Sequence, residues 1–410
     1  MVSKIDPKLP SGTRDYLPED SIPRQRMLDT IRATFELFGF SPIETSALQK
    51  EDVLMGGDEN FKKQIFNVAN KESKDSTLAL RFDLTVPLAR LVASSGDKIE
   101  RPFKRYEIGK VWRGEKAQAG RFREFVQCDA DVVGSASPLA DAEIISLMYE
   151  IMRALGFENF EIKINSRIAL SALNPDQIRI LDKINKIGEE KVRQELKESG
   201  LAGEIIENIF NNTYINKVKE VDEVIKCAKN FGVPEKFLKK DPTLARGLEY
   251  YTSTVFETVL TDMSEIGTVM GGGRYDNLAE RFGGPKTPAV GASVGVDRLF
   301  AALEKKDLVK GENRTAKVLV LNFDKGCEKE CAKIVSNLRK EKIPAEIYLG
   351  KEEILKGQLA FATSRGYSVV VIVGKQEMEK GIAQVKNMTA RTQEEIKFEG
   401  ISLAVKNILG

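Results

Sequence analysis

Residues 105–134 read RYEIGKVWRGEKAQAGRFREFVQCDADVVG. Two apolar runs, 103–111 and 122–133, flank a short turn, which predicts an antiparallel hairpin. Arg113, Arg121 and Arg123 crowd that turn together with Gly114 and Gly120. A guanidinium is planar and permanently charged, so arginines on a strand–loop–strand unit can clamp a polyphosphate bidentately. Beyond Phe125 and Gln127 come two acids, Asp129 and Asp131, able to read a cationic or polar group further along the strand. One hairpin can therefore hold two substrates end to end, as phosphate-activated chemistry requires. Alone, the same residues favour a surface hairpin carrying solvated arginines.

Four other segments bear on the choice. Arg246-Gly247-Leu248-Glu249-Tyr250-Tyr251 offers a cation, a glycine that lets backbone approach a ligand, and an aromatic wall. On a strand its two tyrosines point to opposite faces, which makes one of them core. Gly271-Gly272-Gly273-Arg274-Tyr275-Asp276 reads as three glycines ahead of a helix, where amides can approach an anion or the chain can simply turn. GASVGVDR at 291–298 is a small-residue strand that ends with Arg298 on the first turn of a helix. Arg81-Phe82-Asp83-Leu84-Thr85 sets an acid and a hydroxyl two apart, suited to an ammonium group or to capping the helix that follows.

The chain has 410 residues, more than one average domain. Its 63 basic and 61 acidic side chains leave a formal charge of +2, so contact with nucleic acid must come from local basic patches. There is no histidine at all, which excludes an imidazole base, a Ser-His-Asp triad and a histidine-bound metal. The four cysteines form no zinc set, and Cys327 and Cys331 read as two small residues of one helix in a reducing compartment; no metal site is expected. The polar N-terminus and the lack of a long apolar run predict a cytoplasmic protein without a membrane span.

The pattern of elements predicts an α+β class. Helices are expected at 22–38, 84–93 and 138–155, and strands at 40–45, 78–83, 250–260, 267–270 and 289–295. Lys, Glu, Ile and Leu at helical spacing dominate 170–237, which predicts a small helical insertion at 168–238; its charged faces are solvated or, alternatively, touch RNA. A polar linker at 307–315 leads into alternating strands and helices: strands at 317–323, 345–349 and 368–373, parallel by the crossover rule, then two short strands at 382–387 and 395–398. The domains expected are thus 1–315, with its insertion, and an α/β domain at 316–410.

In this order the segments resemble the histidyl-tRNA synthetases, a class II aminoacyl-tRNA synthetase family. The resemblance rests on GTRDYLP at 12–18, WRGEKAQAGRFREF at 112–125, RGLEYY at 246–251, GGGRYD at 271–276 and GVDR at 295–298. It implies an antiparallel sheet with flanking helices, a helical insertion, a C-terminal α/β anticodon-binding domain and a homodimer. It also implies ATP with Mg2+, L-histidine and tRNA(His) as ligands. By resemblance Arg113 and Arg246 flank the α-phosphate, Arg121 holds the distal phosphates, and Glu115 reads the adenine edge. Adenine lies between Phe125 and Arg298. Asp83, Thr85 and Gln127 hold the ammonium of histidine, Asp131, Tyr251 and Tyr275 read its imidazole, and Gln118 faces the tRNA acceptor end. The sequence departs from the family at Ser46 and Gln49 in the first motif, at Lys116-Ala117 in the loop, and at Asp131, where many members have the longer Glu. The competing reading is a catalytically silent paralogue that regulates ATP phosphoribosyltransferase; such proteins typically lack the appended domain and the RGLEYY signature.

Overall fold

The computed structural model describes residues 5–56, 64–69, 77–114, 122–246, 250–309 and 314–410. The chain divides into two compact units, Met1–Asp15 with Arg26–Val309, and Tyr16–Gln25 with Lys310–Gly410.

The strands of the first unit are β1 (Ser41–Pro42), β2 (Leu48–Lys50), β3 (Phe66–Val68), β4 (Leu78–Leu80), β5 (Phe103–Trp112), β6 (Glu124–Val133), β7 (Phe160–Ser166), β8 (Leu238–Lys240), β9 (Thr254–Leu260), β10 (Thr268–Arg274) and β11 (Ala289–Gly295). Eight of them form one sheet in the order β1-β5-β6-β11-β10-β9-β7-β8. Its pairings are antiparallel except at the edges, where β1 runs parallel to β5 and β8 to β7. Strands β2, β4 and β3 make a small separate sheet. The helices are α1 (Pro18–Leu37), α2 (Glu51–Met55), α3 (Thr85–Ser95), α4 (Pro138–Ala154), α5 (Pro175–Leu181), α6 (Ile184–Ile187), α7 (Glu189–Glu198), α8 (Gly203–Phe210), α9 (Lys219–Asn230) and α10 (Val296–Lys305).

Alternation along β6 explains why the sheet has one dry and one wet face. Cys128, Ala130 and Val132 point into a core shared with Met27, Ile31 and Phe35 of α1 and Ile144, Ile145, Met148 and Ile151 of α4. Each such fully buried aliphatic side chain stabilises by roughly 1.5–3 kcal/mol. The residues between them, Gln127, Asp129 and Asp131, point to the opposite face. Helix α4 is started by Ser137, whose hydroxyl accepts from the Leu139 N–H at 3.3 Å, and it is tied to the sheet by a buried ion pair. Arg274 of β10 donates from Nε to both carboxylate oxygens of Asp141, at 3.1 and 3.2 Å, and from Nη1 to the Ser135 carbonyl at 2.8 Å.

Three sequence expectations change. The strand expected at 40–45 is reduced to Ser41–Pro42, and the strand expected from 250 begins at Thr254. The glycines 271–273 do not precede a helix. They lie inside β10, paired on both sides with β9 and β11, and a 3-10 turn at Leu278–Phe282 comes later. In the insertion, Ile178, Leu181, Val192, Leu196, Ile206 and Ile209 of α5, α7 and α8 share a core with Leu170 and Leu173. Helix α9 joins the main core instead, through Val221, Val224 and Ala228.

The second unit carries β12 (Val318–Val320), β13 (Ala345–Ile347), β14 (Val369–Ile372), β15 (Ile382–Asn387) and β16 (Thr392–Lys397), in the order β13-β12-β14-β15-β16. The first three are parallel, as the crossover rule predicts, and the last two antiparallel. Helices α11 (Glu328–Lys340) and α12 (Leu355–Ser364) supply the alternation expected from the sequence, and α13 (Lys375–Lys380) and α14 (Ile401–Leu409) complete the unit. Both sheet faces are covered, one by Cys331, Ile334 and Leu338 and the other by Tyr348, Ala362 and Tyr367, which is why β12 and β14 are continuous apolar runs. No described helix is long and apolar enough to cross a membrane.

Candidate active site

The wet face of the large sheet floors a cavity of about 1160 Å³. The ladder arranges the floor in rows. Arg105 of β5, Asp131 of β6, Gly291 of β11 and Gly273 of β10 are mutually opposite; Glu107, Asp129, Ser293 and Gly271 form the next row, followed by Glu257 of β9. Gly109, Gln127 and Gly295 form the third. Two of the glycines are required by what lies on them. A Cβ on Gly291 would collide with Asp131 Oδ1, and one on Gly271 would stand 2.6 Å from Arg246 Nη1.

At the Asp131 end the polar groups are buried and bonded to one another. Arg105 is fully buried, with Nη2 2.6 Å from Asp131 Oδ2. The Tyr275 hydroxyl donates to Asp131 Oδ1. Burial pushes the Asp131 carboxyl up, against Arg105 and Tyr275, and drives the hydroxyls of Tyr250 and Tyr275 well above the phenol range. Asp83 uses Oδ1 to accept the Val86 N–H at 3.1 Å, capping α3, while Oδ2 has no hydrogen-bond partner among the described residues. Capping and cavity lining are thus performed by different oxygens of one carboxylate. Burial lifts Asp83 to about 6, against the Val86 N–H and the charge of Arg113. The Thr85 hydroxyl works against the rise of the Tyr250 pKa. Gln127 Nε2 donates to Ser293 Oγ at 2.9 Å and its Oε1 has no such partner.

Tyr250 and Tyr251 both line the cavity, their rings 4.7 Å apart, and Tyr250 meets Tyr275 edge-on at 5.9 Å. Both are also buried in one hydrophobic cluster with Leu88, Val92 and Val255, so the core role expected of one falls to both; they do not take opposite faces because 250–251 precede β9, where pleat alternation does not apply.

At the Phe125 end the arginines are half-buried and anchored on backbone. Arg113 Nε donates to the Phe82 carbonyl at 3.2 Å, and its guanidinium lies 5.0 Å over the Phe125 ring. Arg298 Nη1 donates to the Thr268 carbonyl at 2.8 Å. Across the floor, Arg246 Nη1 is 2.6 Å from Glu257 Oε1, and Thr268 Oγ1 donates to Glu257 Oε2 at 2.7 Å. Burial opposes the Arg246 charge, but Tyr251 and Glu257 outweigh it and hold the guanidinium protonated.

Of the site residues expected from sequence, Asp83, Thr85, Arg113, Phe125, Gln127, Asp131, Arg246, Tyr251, Tyr275 and Arg298 all line this one cavity. Glu115, Gln118 and Arg121 lie outside the described residues. Sequence reasoning missed Arg105, Glu257 and Ser293. For Glu257 the signal was a lone charge inside an apolar strand, TVFETVL; Arg105 is one of four charges in FKRYEIGKVW, and only the ladder that sets it opposite Asp131 singles it out.

The family described as Histidyl-tRNA synthetase matches residues 12–174 and 167–299, and that described as Anticodon binding domain matches 317–408. The chain belongs to the histidyl-tRNA synthetase family. The histidine–tRNA ligase of Clostridium tetani is 40% identical over 440 residues, covering 98% of this chain and 99% of that one. The solved histidyl-tRNA synthetase of Nostoc sp. PCC 7120 superposes with a TM-score of 0.85 at 31% identity, covering 98% of this chain and all (100%) of that one. A Bacillus halodurans protein described as an ATP phosphoribosyltransferase regulatory subunit/histidyl-tRNA synthetase superposes with a TM-score of 0.74, covering 91% of this chain and 99% of that one; at 23% identity it shows the fold alone. The α+β class II architecture with a C-terminal α/β domain is therefore the family's.

Proposed function

We propose that the chain ligates L-histidine to tRNA(His) in two steps in this cavity. First the histidine carboxylate attacks the α-phosphorus of ATP, forming histidyl-adenylate and releasing pyrophosphate. Then a hydroxyl of the terminal adenosine of tRNA(His) attacks the acyl carbon, and AMP leaves. The observation that carries this reading is a single cavity lined by three guanidiniums, Arg113, Arg246 and Arg298, and by a buried carboxylate–tyrosine set. The first nucleophile is an already ionised carboxylate, so this step needs no imidazole base, in keeping with a chain that has no histidine. Guanidiniums on two sides of the α-phosphate would offset the charge that develops there.

In this reading Phe125 and Arg298 enclose adenine, with Glu115 at its edge, Arg121 on the distal phosphates and Gln118 toward the tRNA. Asp83, Thr85 and Gln127 take the ammonium, and Asp131, Tyr251 and Tyr275 the imidazole. Among the described residues no group of three or more His, Cys, Asp or Glu side chains could hold a metal. Magnesium would therefore arrive on the triphosphate, where phosphate oxygens and water supply most of its ligands. We assign catalysis to 1–315, with the insertion at 168–238, and anticodon binding to 316–410, in a cytoplasmic homodimer. Histidine-dependent exchange of pyrophosphate into ATP, followed by charging of tRNA(His), tests the function. Folded protein that supports no exchange would favour the regulatory paralogue instead.

A further inference from the structure

Asp129 stands mid-floor and has no role in the reading above. It is only 3% exposed, it lines the cavity, and its Oδ1 has no hydrogen-bond partner among the described residues. Asp131, two residues on, is placed differently: Tyr275 donates to its Oδ1, and Arg105 stands 2.6 Å from its Oδ2 as an ion pair without hydrogen-bond geometry. Of the two acids on this face, Asp131 meets the imidazole already bonded to Arg105 and Tyr275, whereas Asp129 keeps a whole acceptor for it.

The charges around Asp129 sharpen the point. Facing it are Arg105 and Glu107 from β5, Asp131 on its own strand, Asp83 from the segment before α3, and the hydroxyl of Ser293 from β11. Glu107 is held by Arg81 at 2.6 Å. Three carboxylates, Asp83, Asp129 and Asp131, remain around one fully buried guanidinium, Arg105, with half-buried Arg113 acting on Asp83. A buried negative charge left uncompensated is strongly unfavourable, so the pocket must retain a proton or admit a cation. Burial, then the neighbouring Asp131 and Asp83, push Asp129 to about 8, against Arg105 and Ser293.

We propose that Asp129 shares a proton with the imidazole of bound histidine, so that the pocket holds its substrate as an imidazolium while Asp83 takes the ammonium. The inference rests on the ligase reading and deepens it. In the empty pocket near neutral pH the proton is on Asp129, and the free imidazole, with an ordinary pKa of about 6.5, is mostly neutral. On binding, the O–H bond of Asp129 breaks and an N–H bond forms on the ring, with no net exchange with solvent. Above about pH 8 both partners have lost the proton. Binding must then draw one from water, and affinity falls about tenfold per pH unit.

The test uses the full chain and L-histidine. Asp129→Asn keeps the shape and removes the titrating proton. In pyrophosphate exchange at neutral pH it raises KM for histidine about tenfold, with KM for ATP unchanged. The variant also loses the alkaline rise in KM that belongs to Asp129; the α-amino group of histidine titrates with both proteins and cancels in the comparison. A second measurement reads the proton directly. The chain contains no histidine, so every imidazole resonance in a complex with 15N-imidazole histidine is the substrate's. At pH 7.5 the bound ring carries two N–H protons in the unsubstituted protein and one in Asp129→Asn. A neutral ring in the unsubstituted complex, or an unchanged KM and pH profile in the variant, overturns the inference while leaving the ligase standing. Absence of histidine-dependent exchange in the unsubstituted protein overturns the ligase itself. The ring's state in the unsubstituted complex decides the question even if the variant does not fold.

Discussion

At the Asp131 end of the cavity, charged and hydroxyl groups are buried against one another; at the Phe125 end, half-buried arginines hang from backbone carbonyls. The difference follows what each end is suited to read. A small polar ring is distinguished from its analogues only where buried partners would otherwise be left unpaired, so that end must be dry and pre-bonded. A triphosphate is recognised by charge and by forked donors, which work beside water. The dry end carries the perturbed acids, Asp83 at about 6 and Asp129 at about 8, while the arginine end is held by geometry.

Asp131→Asn is the most severe way to break this contrast. It breaks the 2.6 Å ion pair of fully buried Arg105, which costs at most about 3–5 kcal/mol because Asp129 and Asp83 still face the guanidinium, and thermal melting should register it directly. At the opposite side of the cavity, Arg246→Ala should lower the rate of adenylate formation about 10²–10³-fold, measured in single turnover, with a smaller effect on melting. An equal loss of stability in the two variants would erase the distinction between the ends.

The pH dependence of stability sharpens it further. The folded-state pKa of Asp129 is raised from 3.8 to about 8, so its contribution is greatest at low pH and is lost as pH rises through 8. Ligand-free Asp129→Asn should therefore melt like the unsubstituted protein near pH 4. Its advantage should grow up to about pH 8, to a few kcal/mol, and then level off. Melting curves that stay parallel across that range would contradict the burial argument. The smallest expected effect is that of Tyr275→Phe, which removes one hydroxyl donor to Asp131. It should raise KM for histidine by about 1–2 kcal/mol in equivalent energy and leave KM for ATP unchanged.

Much of this was legible in the residues themselves. The alternation Val126, Gln127, Cys128, Asp129, Ala130, Asp131 marks a strand with one dry face, because a side-chain period of two is a local property. The hairpin, the helix after Ser137 and the three parallel strands of the C-terminal unit follow from equally local signals. The glycine run was misplaced for the opposite reason. Gly271 to Gly273 are glycines because Arg246 and neighbouring strands come down onto them, and nothing in residues 271–276 states that contact.

By itself the sequence determined the chemistry available: arginines and carboxylates in a known order, and no imidazole to act as a base. Only the tertiary structure decided which acid is committed and which is open. Asp129 and Asp131 are the same residue type on the same face of one strand, and local physics cannot tell them apart. What separates them is one row of the sheet. Arg105 and Tyr275 reach Asp131 from elements 26 and 144 residues away, and a long-range contact sets the charge state of a buried group only once burial has removed the water that would screen it.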